Sequence, residues 1–165
     1  MSQAPPEPGD VIRHWYLWRH EANKGAEEAV KPRPCLVVAT NINERDETKV
    51  FVAPITTQPT FFYQPHEARE IPLPTKQRLG LDDKPSWIIT NEVNSFTWIG
   101  PDVERTPSGD FIYGAMPAGL VRQVQQDLAE KQRTRQLKQT SRDDQDLLER
   151  VRRMQTPSRD DDRER

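Results

Sequence analysis

Lys31-Pro32-Arg33-Pro34 runs directly into the apolar stretch Cys35-Leu36-Val37-Val38-Ala39. A buried strand requires the apolar run, but it does not require an arginine bracketed by two prolines at its entrance. Proline fixes its own φ and restricts the residue before it, so the backbone around Arg33 has few conformations. A guanidinium held in this way at a strand mouth suits phosphate binding. The other reading is a solvated edge charge whose prolines block further pairing. His14 and His20 flank the aromatic stretch Trp15-Tyr16-Leu17-Trp18, and either imidazole suits acid–base work or packing against rings. Trp18 belongs to the core or offers a face on which an unpaired base can stack. Glu27 and Glu28 precede Arg33 closely; they position it, touch a base, or lie solvated in a loop. Cys35 is the sole cysteine and sits inside an apolar run. It reads as a small core residue, with no disulfide framework and no cysteine metal site.

The elements around these residues read as short strands. Residues 1–8 form a proline-rich lead-in, and Val11–Trp18 is a first strand by its aromatic and β-branched content. Glu21–Val30 reads as a loop. Pro34–Thr40 and Lys49–Ile55 are strands joined by the turn residues Asn41–Asp46, which predicts a hairpin. Phe61-Phe62-Tyr63 lies in a proline-flanked loop suited to stacking or a dimer contact. Ile71-Pro72-Leu73-Pro74 is an edge strand at best, because proline cannot donate to a ladder. Ser86–Thr90 and Phe96–Ile99 are further strands. Many short strands with turn signals suggest a small barrel or sandwich. Leu120, Val121, Val124 and Leu128 then place one apolar face on a helix opened by Pro117. Ser141 to Asp144 offers a helix cap, and Leu147, Leu148, Val151 and Met154 form a narrow apolar stripe on a short helix near 142–154. The chain thus divides into a lead-in, a β domain over 9–136 that includes the terminal helix, and a charged extension over 137–165 ending in a disordered tail.

Composition narrows the function. Of 165 residues, 33% are hydrophobic and 30% charged, and 15 are proline, so part of the chain lies outside any packed core. The net charge of −2 excludes a strongly basic nucleic-acid binder, and any phosphate site is therefore local. No secretion signal or membrane-length apolar run is evident, which predicts a soluble, cytoplasmic protein.

Four ordered stretches resemble the MazF/PemK family of toxin–antitoxin toxins. Gly9-Asp10-Val11 looks like its opening Gly-Asp-hydrophobic motif. Gly25-Ala26-Glu27 ahead of Arg33-Pro34-Cys35-Leu36 looks like its Gly-x-Glu and Arg-Pro blocks, with one extra residue of spacing. Ala53-Pro54-Ile55-Thr56-Thr57-Gln58 is similar to its Pro-Ile-Thr segment, and Trp87–Glu92 with the helix from Pro117 to its later strand and terminal helix. The likeness covers about residues 9–128. It implies a small β-barrel with a C-terminal helix and a charged helical or disordered extension, usually a homodimer. It further implies metal- and cofactor-independent cleavage of single-stranded RNA to a cyclic phosphate and a 5′-hydroxyl, and a cognate antitoxin as partner. By motif match the catalytic roles fall to Arg33, which stabilises phosphorane charge, and Thr56, which adds a hydroxyl donor. Arg33 begins one strand of the hairpin and Thr56 ends the next, so their ends meet. Thr57 and Gln58 are turn residues or RNA contacts; with Glu27, Glu28, His14 and Trp18 they complete the candidate substrate-binding set.

One departure stands out. Relatives often carry a basic residue after the later strand, whereas Asn91-Glu92-Val93-Asn94-Ser95-Phe96 has none. That favours a second reading, a catalytically weak or inactive member that binds protein or RNA. The acids Asp143, Asp144 and Asp160–Asp162 also prompt the expectation that the chain's own tail covers part of the RNA groove.

Overall fold

The computed structural model describes residues 4–23, 31–58 and 67–143. In chain order the elements are β1 (Asp10–His14), α1 (Arg19–Asn23), β2 (Arg33–Ile42), β3 (Thr48–Thr56), β4 (Ala68–Glu70), α2 (Leu73–Leu79), β5 (Trp87–Ile89), β6 (Glu92–Thr97), β7 (Val103–Glu104), β8 (Ile112–Ala115), α3 (Ala118–Arg133) and β9 (Lys138–Ser141). The architecture is a mainly antiparallel β-sheet with a C-terminal helix, as the sequence led one to expect. Its centre is the β2–β3 hairpin. The turn is closed by Asn43, whose side-chain oxygen accepts the N–H groups of Arg45 at 2.8 Å and Glu47 at 3.0 Å.

Two strands branch the sheet. β3 pairs with β6 through Lys49–Val52 and with β5 through Ile55–Thr56. β1 pairs with β2 on one side and with β7 and β8 on the other. The alternation of side chains builds one core on each face. Leu36, Val38, Ala53, Ile55 and Val93 pack beneath Val121, Val124 and Leu128 of α3. Cys35, Val37, Val50, Val52 and Phe96 pack with Ile12 and Tyr16 on the opposite face. Gly9 fixes the entry to β1: at φ 103° it bonds Val37 and Met116 through its own N–H and C=O, a conformation that disfavours a side chain.

Several boundaries differ from the sequence expectation. β1 ends at His14, and Trp15–Trp18 leave the strand because the side chain of Asn94 takes the place of a strand partner. Its Oδ1 accepts the Leu17 N–H, and its amide donates to the Leu17 carbonyl, both at 2.8 Å. Glu21–Asn23, the start of the expected loop, instead belong with Arg19 and His20 to the short helix α1, capped where the Trp18 N–H donates to the Glu21 carboxylate. Ile71–Pro74 is not an edge strand. Pro72 and Pro74 open α2, where a missing N–H costs nothing, and Gly80 closes it in the left-handed region at φ 73°. The last turn of α3 is anchored where Lys131, buried at 5% exposure, pairs with Glu67 at 2.9 Å. Lys138–Ser141, assigned by sequence to the extension, is instead β9, which joins the sheet parallel to β6. The expected helix near 142–154 and the loop Phe61–Tyr63 lie outside the described residues, save for Arg142 and Asp143.

Candidate functional site

Arg33 is the first residue of β2 and Thr56 the last of β3. Cys35 faces Pro54 in the last pair of the β2–β3 ladder, and extending that register by two residues would bring Arg33 level with Thr56. Pro34 sits opposite Arg13 of β1, and Pro32 precedes the first paired residue. On its other side Arg33 faces His14. The mouth of the hairpin therefore gathers a guanidinium and a threonine hydroxyl from two strands that their own hydrogen-bond ladders hold in place.

Arg33 is half-buried, and its Nε is shielded without a hydrogen-bond partner among the described residues. Its guanidinium lies over the Trp18 ring, 5.2 Å from the centroid. That contact fixes the plane of the fork by cation–π attraction while consuming none of its N–H donors. Trp18 is in turn held edge-on against Tyr16, with centroids 5.2 Å apart, and near-parallel to His20 at 6.3 Å. Thr56 is 5% exposed, and its Oγ1 accepts the Gln58 N–H at 3.1 Å, which turns the chain out of β3. Its hydroxyl hydrogen is left to donate elsewhere. Thr57 and Gln58 follow as exposed residues at the same mouth. Trp87 of β5 lies opposite Thr56 on the outer side.

His14 does not join this group as a solvent-facing residue. It is fully buried, stacked on Phe96 with centroids 4.7 Å apart, and its Nε2 donates to Asn94 Oδ1 at 3.2 Å. The amide oxygen accepts from both Leu17 and His14, which assigns the proton to Nε2. Burial lowers the His14 pKa to about 3, the hydrogen bond to Asn94 opposing only in part. A neutral imidazole packed against rings is a structural group. His20 is exposed on α1 beside Trp18. Glu27 and Glu28 lie outside the described residues. Glu92, a conceivable neutraliser of Arg33, is engaged elsewhere: its Oε1 accepts the Tyr16 hydroxyl and the Arg19 N–H, each at 3.0 Å. Burial raises its pKa, those hydrogen bonds notwithstanding. Burial likewise pushes the Cys35 thiol well up, against the pull of Arg33, so Cys35 is a core residue as read.

Asn94 is the residue that the sequence reading missed. It holds the segment carrying Trp18 against β6 and orients His14 behind Arg33. The signal was present: a strand read as Glu92–Thr97 would place Asn94 between Val93 and Phe96 in a stretch with no outward face. The lack of basic residues in Asn91–Phe96 also has a structural side, since Glu92, Asn94 and Ser95 are buried and fill internal roles there.

A protein-family model described as the PemK-like, MazF-like toxin of type II toxin–antitoxin systems matches residues 9–98, over half of the chain. The span includes Arg33, Thr56 and Trp18, and stops before β7, β8, α3 and β9. No curated protein matches the chain at a significant level.

Proposed function

The chain belongs to the family of PemK-like, MazF-like toxins of type II toxin–antitoxin systems, and from that premise we propose that it is an endoribonuclease acting on single-stranded RNA. The nucleophile is the RNA's own 2′-hydroxyl, which attacks the adjacent phosphate and expels the 5′-oxygen, leaving a cyclic phosphate and a 5′-hydroxyl end. The barrier lies in the extra negative charge on the phosphorane. The Arg33 fork offers fixed planar donors to two of its oxygens, and the Thr56 hydroxyl donates to a third position. Thr57 and Gln58 line the path of the strand, and Trp18 has a partly exposed ring beside Arg33 for stacking.

The observation that supports this reading is that Arg33 begins β2 and Thr56 ends β3 at the same end of the hairpin, with Arg33 oriented by an aromatic face and not neutralised by a carboxylate among the described residues. The expected partners are a cognate antitoxin that masks this mouth and a second copy of the chain in a homodimer. Arg33→Ala should lower cleavage of a single-stranded RNA by about 10²–10³-fold, the usual cost of losing one charge-stabilising donor. Its thermal midpoint should be near that of the wild type. An Arg33→Ala protein that cleaves at the parental rate removes this proposal.

A second reading has its own observation. His14, the histidine of the strand paired with Arg33, is buried and neutral, so it does not serve as the acid–base group at the hairpin mouth. A weakly catalytic member that binds RNA and blocks it would share the geometry. Tight RNA binding without new 5′-hydroxyl ends distinguishes it.

A further inference from the structure

We propose that the molecule holds a second site, for one nucleotide, with the base in the aromatic corner of Trp98 and Phe111, the phosphate on Arg105, and an exocyclic amine of the base toward Asp110. This concerns a different surface from the hairpin mouth and does not depend on the ribonuclease reading. Trp98 follows β6, and its backbone N–H donates at 2.9 Å to the carbonyl of Thr48. Thr48 and Thr56 are the two ends of β3, roughly 26 Å apart at strand rise. The cavity has a volume of about 410 Å³ and is lined by Pro5, Trp98, Arg105, Asp110, Phe111 and Ile112. That lies near the lower end of the roughly 300–1,000 Å³ of small-ligand pockets, a size suited to a single nucleotide. Arg105, Asp110 and Phe111 lie past residue 98, where the family match stops.

Each wall suits one part of a nucleotide. The Trp98 and Phe111 rings stand at 84° with centroids 6.0 Å apart. A flat heterocycle fits such a corner, its face on one ring and its edge on the other. Both rings are partly exposed, and Phe96 backs Trp98 from the core with centroids 6.4 Å apart. The corner therefore has a fixed rear and an open front. The Arg105 guanidinium lies 4.3 Å from the Phe111 centroid. This repeats the arrangement of Arg33 on Trp18, in which the ring orients the fork and consumes none of its N–H groups. Arg105 Nη1 donates to the Gly109 carbonyl at 2.8 Å, which leaves other donors of the fork for phosphate oxygens. The loop that sets Arg105 against Phe111 is closed by the Thr106 N–H on the Asp110 carbonyl at 2.6 Å and the Gly109 N–H on the Thr106 carbonyl at 2.9 Å. Asp110 is exposed at the rim. Its carboxylate accepts from the amine of cytosine, whereas uracil presents an oxygen at the same position and is repelled. An aromatic corner alone would take many apolar groups; a fork and a carboxylate on its walls support a nucleotide instead.

The test titrates the full chain with cytidine 5′-monophosphate and follows the Trp98 indole N–H by proton–nitrogen NMR, the resonance being assigned by its loss in Trp98→Phe. The monophosphate should shift it, and uridine 5′-monophosphate should bind about tenfold more weakly, the effect of one lost hydrogen bond to a charged group. Arg105→Gln should weaken the cytidine monophosphate by about tenfold, and cytidine without its phosphate should bind the variant and the wild type alike. Asp110→Asn, whose amide serves either base, should remove most of the preference for cytosine. Arg33→Ala should leave the titrations unchanged. In that background, where no cleavage intervenes, tighter binding of a pentacytidylate than of the monophosphate would make an RNA strand the source of the nucleotide. Equal binding would make it a free nucleotide. No shift at Trp98, or an affinity unaltered by Arg105→Gln, overturns the proposal. So does a shift that is lost in Arg33→Ala, which would put the ligand at the hairpin mouth.

Discussion

Thr56 and the buried His14 behind Arg33 have separable jobs. The Thr56 oxygen ties down the Gln58 N–H, which leaves its hydroxyl hydrogen to donate to another acceptor. Thr56→Val should therefore lose both, lowering RNA cleavage by about tenfold or more and stability by roughly 1 kcal/mol, whereas Thr56→Ser should restore most of each. A cleavage assay with a parallel thermal melt separates the two effects. His14 makes a prediction of a different kind. Its pKa is lowered to about 3 from the ordinary 6.5, so the unfolded chain takes up the proton first as pH falls. Its contribution leaves the fold at full stability above pH 6.5 and subtracts progressively between about 6.5 and 3, on the order of 2 kcal/mol by pH 5. Glu92, whose pKa burial raises, acts in the opposite sense over its own range. His14→Phe keeps the stack on Phe96 and removes the titration, so melts between pH 7 and 5 should drop less steeply in the variant. Parallel pH profiles for the two proteins would contradict this account of His14.

At the level of elements, β9 decides where the domain ends. Its Thr140 and the following Arg142 are buried at 2% and 4% exposure, and the strand completes the edge of β6. A protein ending after Asp143 should fold, and one ending after Gln136 should not, because β6 would lose its pairing with β9 and the Arg142–Asp102 ion pair would be gone. Limited proteolysis and circular dichroism of the two truncations measure this. It also bears on self-covering of the RNA groove: Asp143 is held by Thr97 and Lys49 and is not available for it. What the sequence made legible follows the strength of local patterning. The β2–β3 hairpin was readable from two apolar runs and an Asn-rich turn, and its register placed Arg33 opposite Thr56 without any structure. The helix α3 was readable from Leu120, Val124 and Leu128. β9 was not, because Lys138-Gln139-Thr140-Ser141 has no apolar residue; its order comes from tertiary pairing with β6. The end of β1 was misread for the same reason, since Asn94, distant in sequence, captures Leu17. Pro72 and Pro74 were read as ladder breakers when their fixed φ serves equally to start a helix.

Across the whole molecule, the proposed phosphate site is a local feature of a chain with net charge −2. Affinity for RNA should consequently depend only weakly on salt. With one or two phosphates neutralised near Arg33, a log–log slope of about −0.7 to −1.4 is expected for single strands, and titrations between low and physiological salt measure it. A much steeper slope would mean that an unassigned basic surface carries the binding. The molecule also combines a family-typical part, residues 9–98, with a C-terminal third that the family match does not reach, where α3, β9 and the apolar stripe lie. The central claim is that Arg33 opposite Thr56 cleaves RNA. Induced expression in a bacterium, with growth followed and new RNA 5′-hydroxyl ends mapped for the wild type and for Arg33→Ala, tests it most directly. The account predicts growth arrest with sequence-specific new ends in the wild type and neither in the variant. Arrest without new ends, or the same ends in Arg33→Ala, would contradict it.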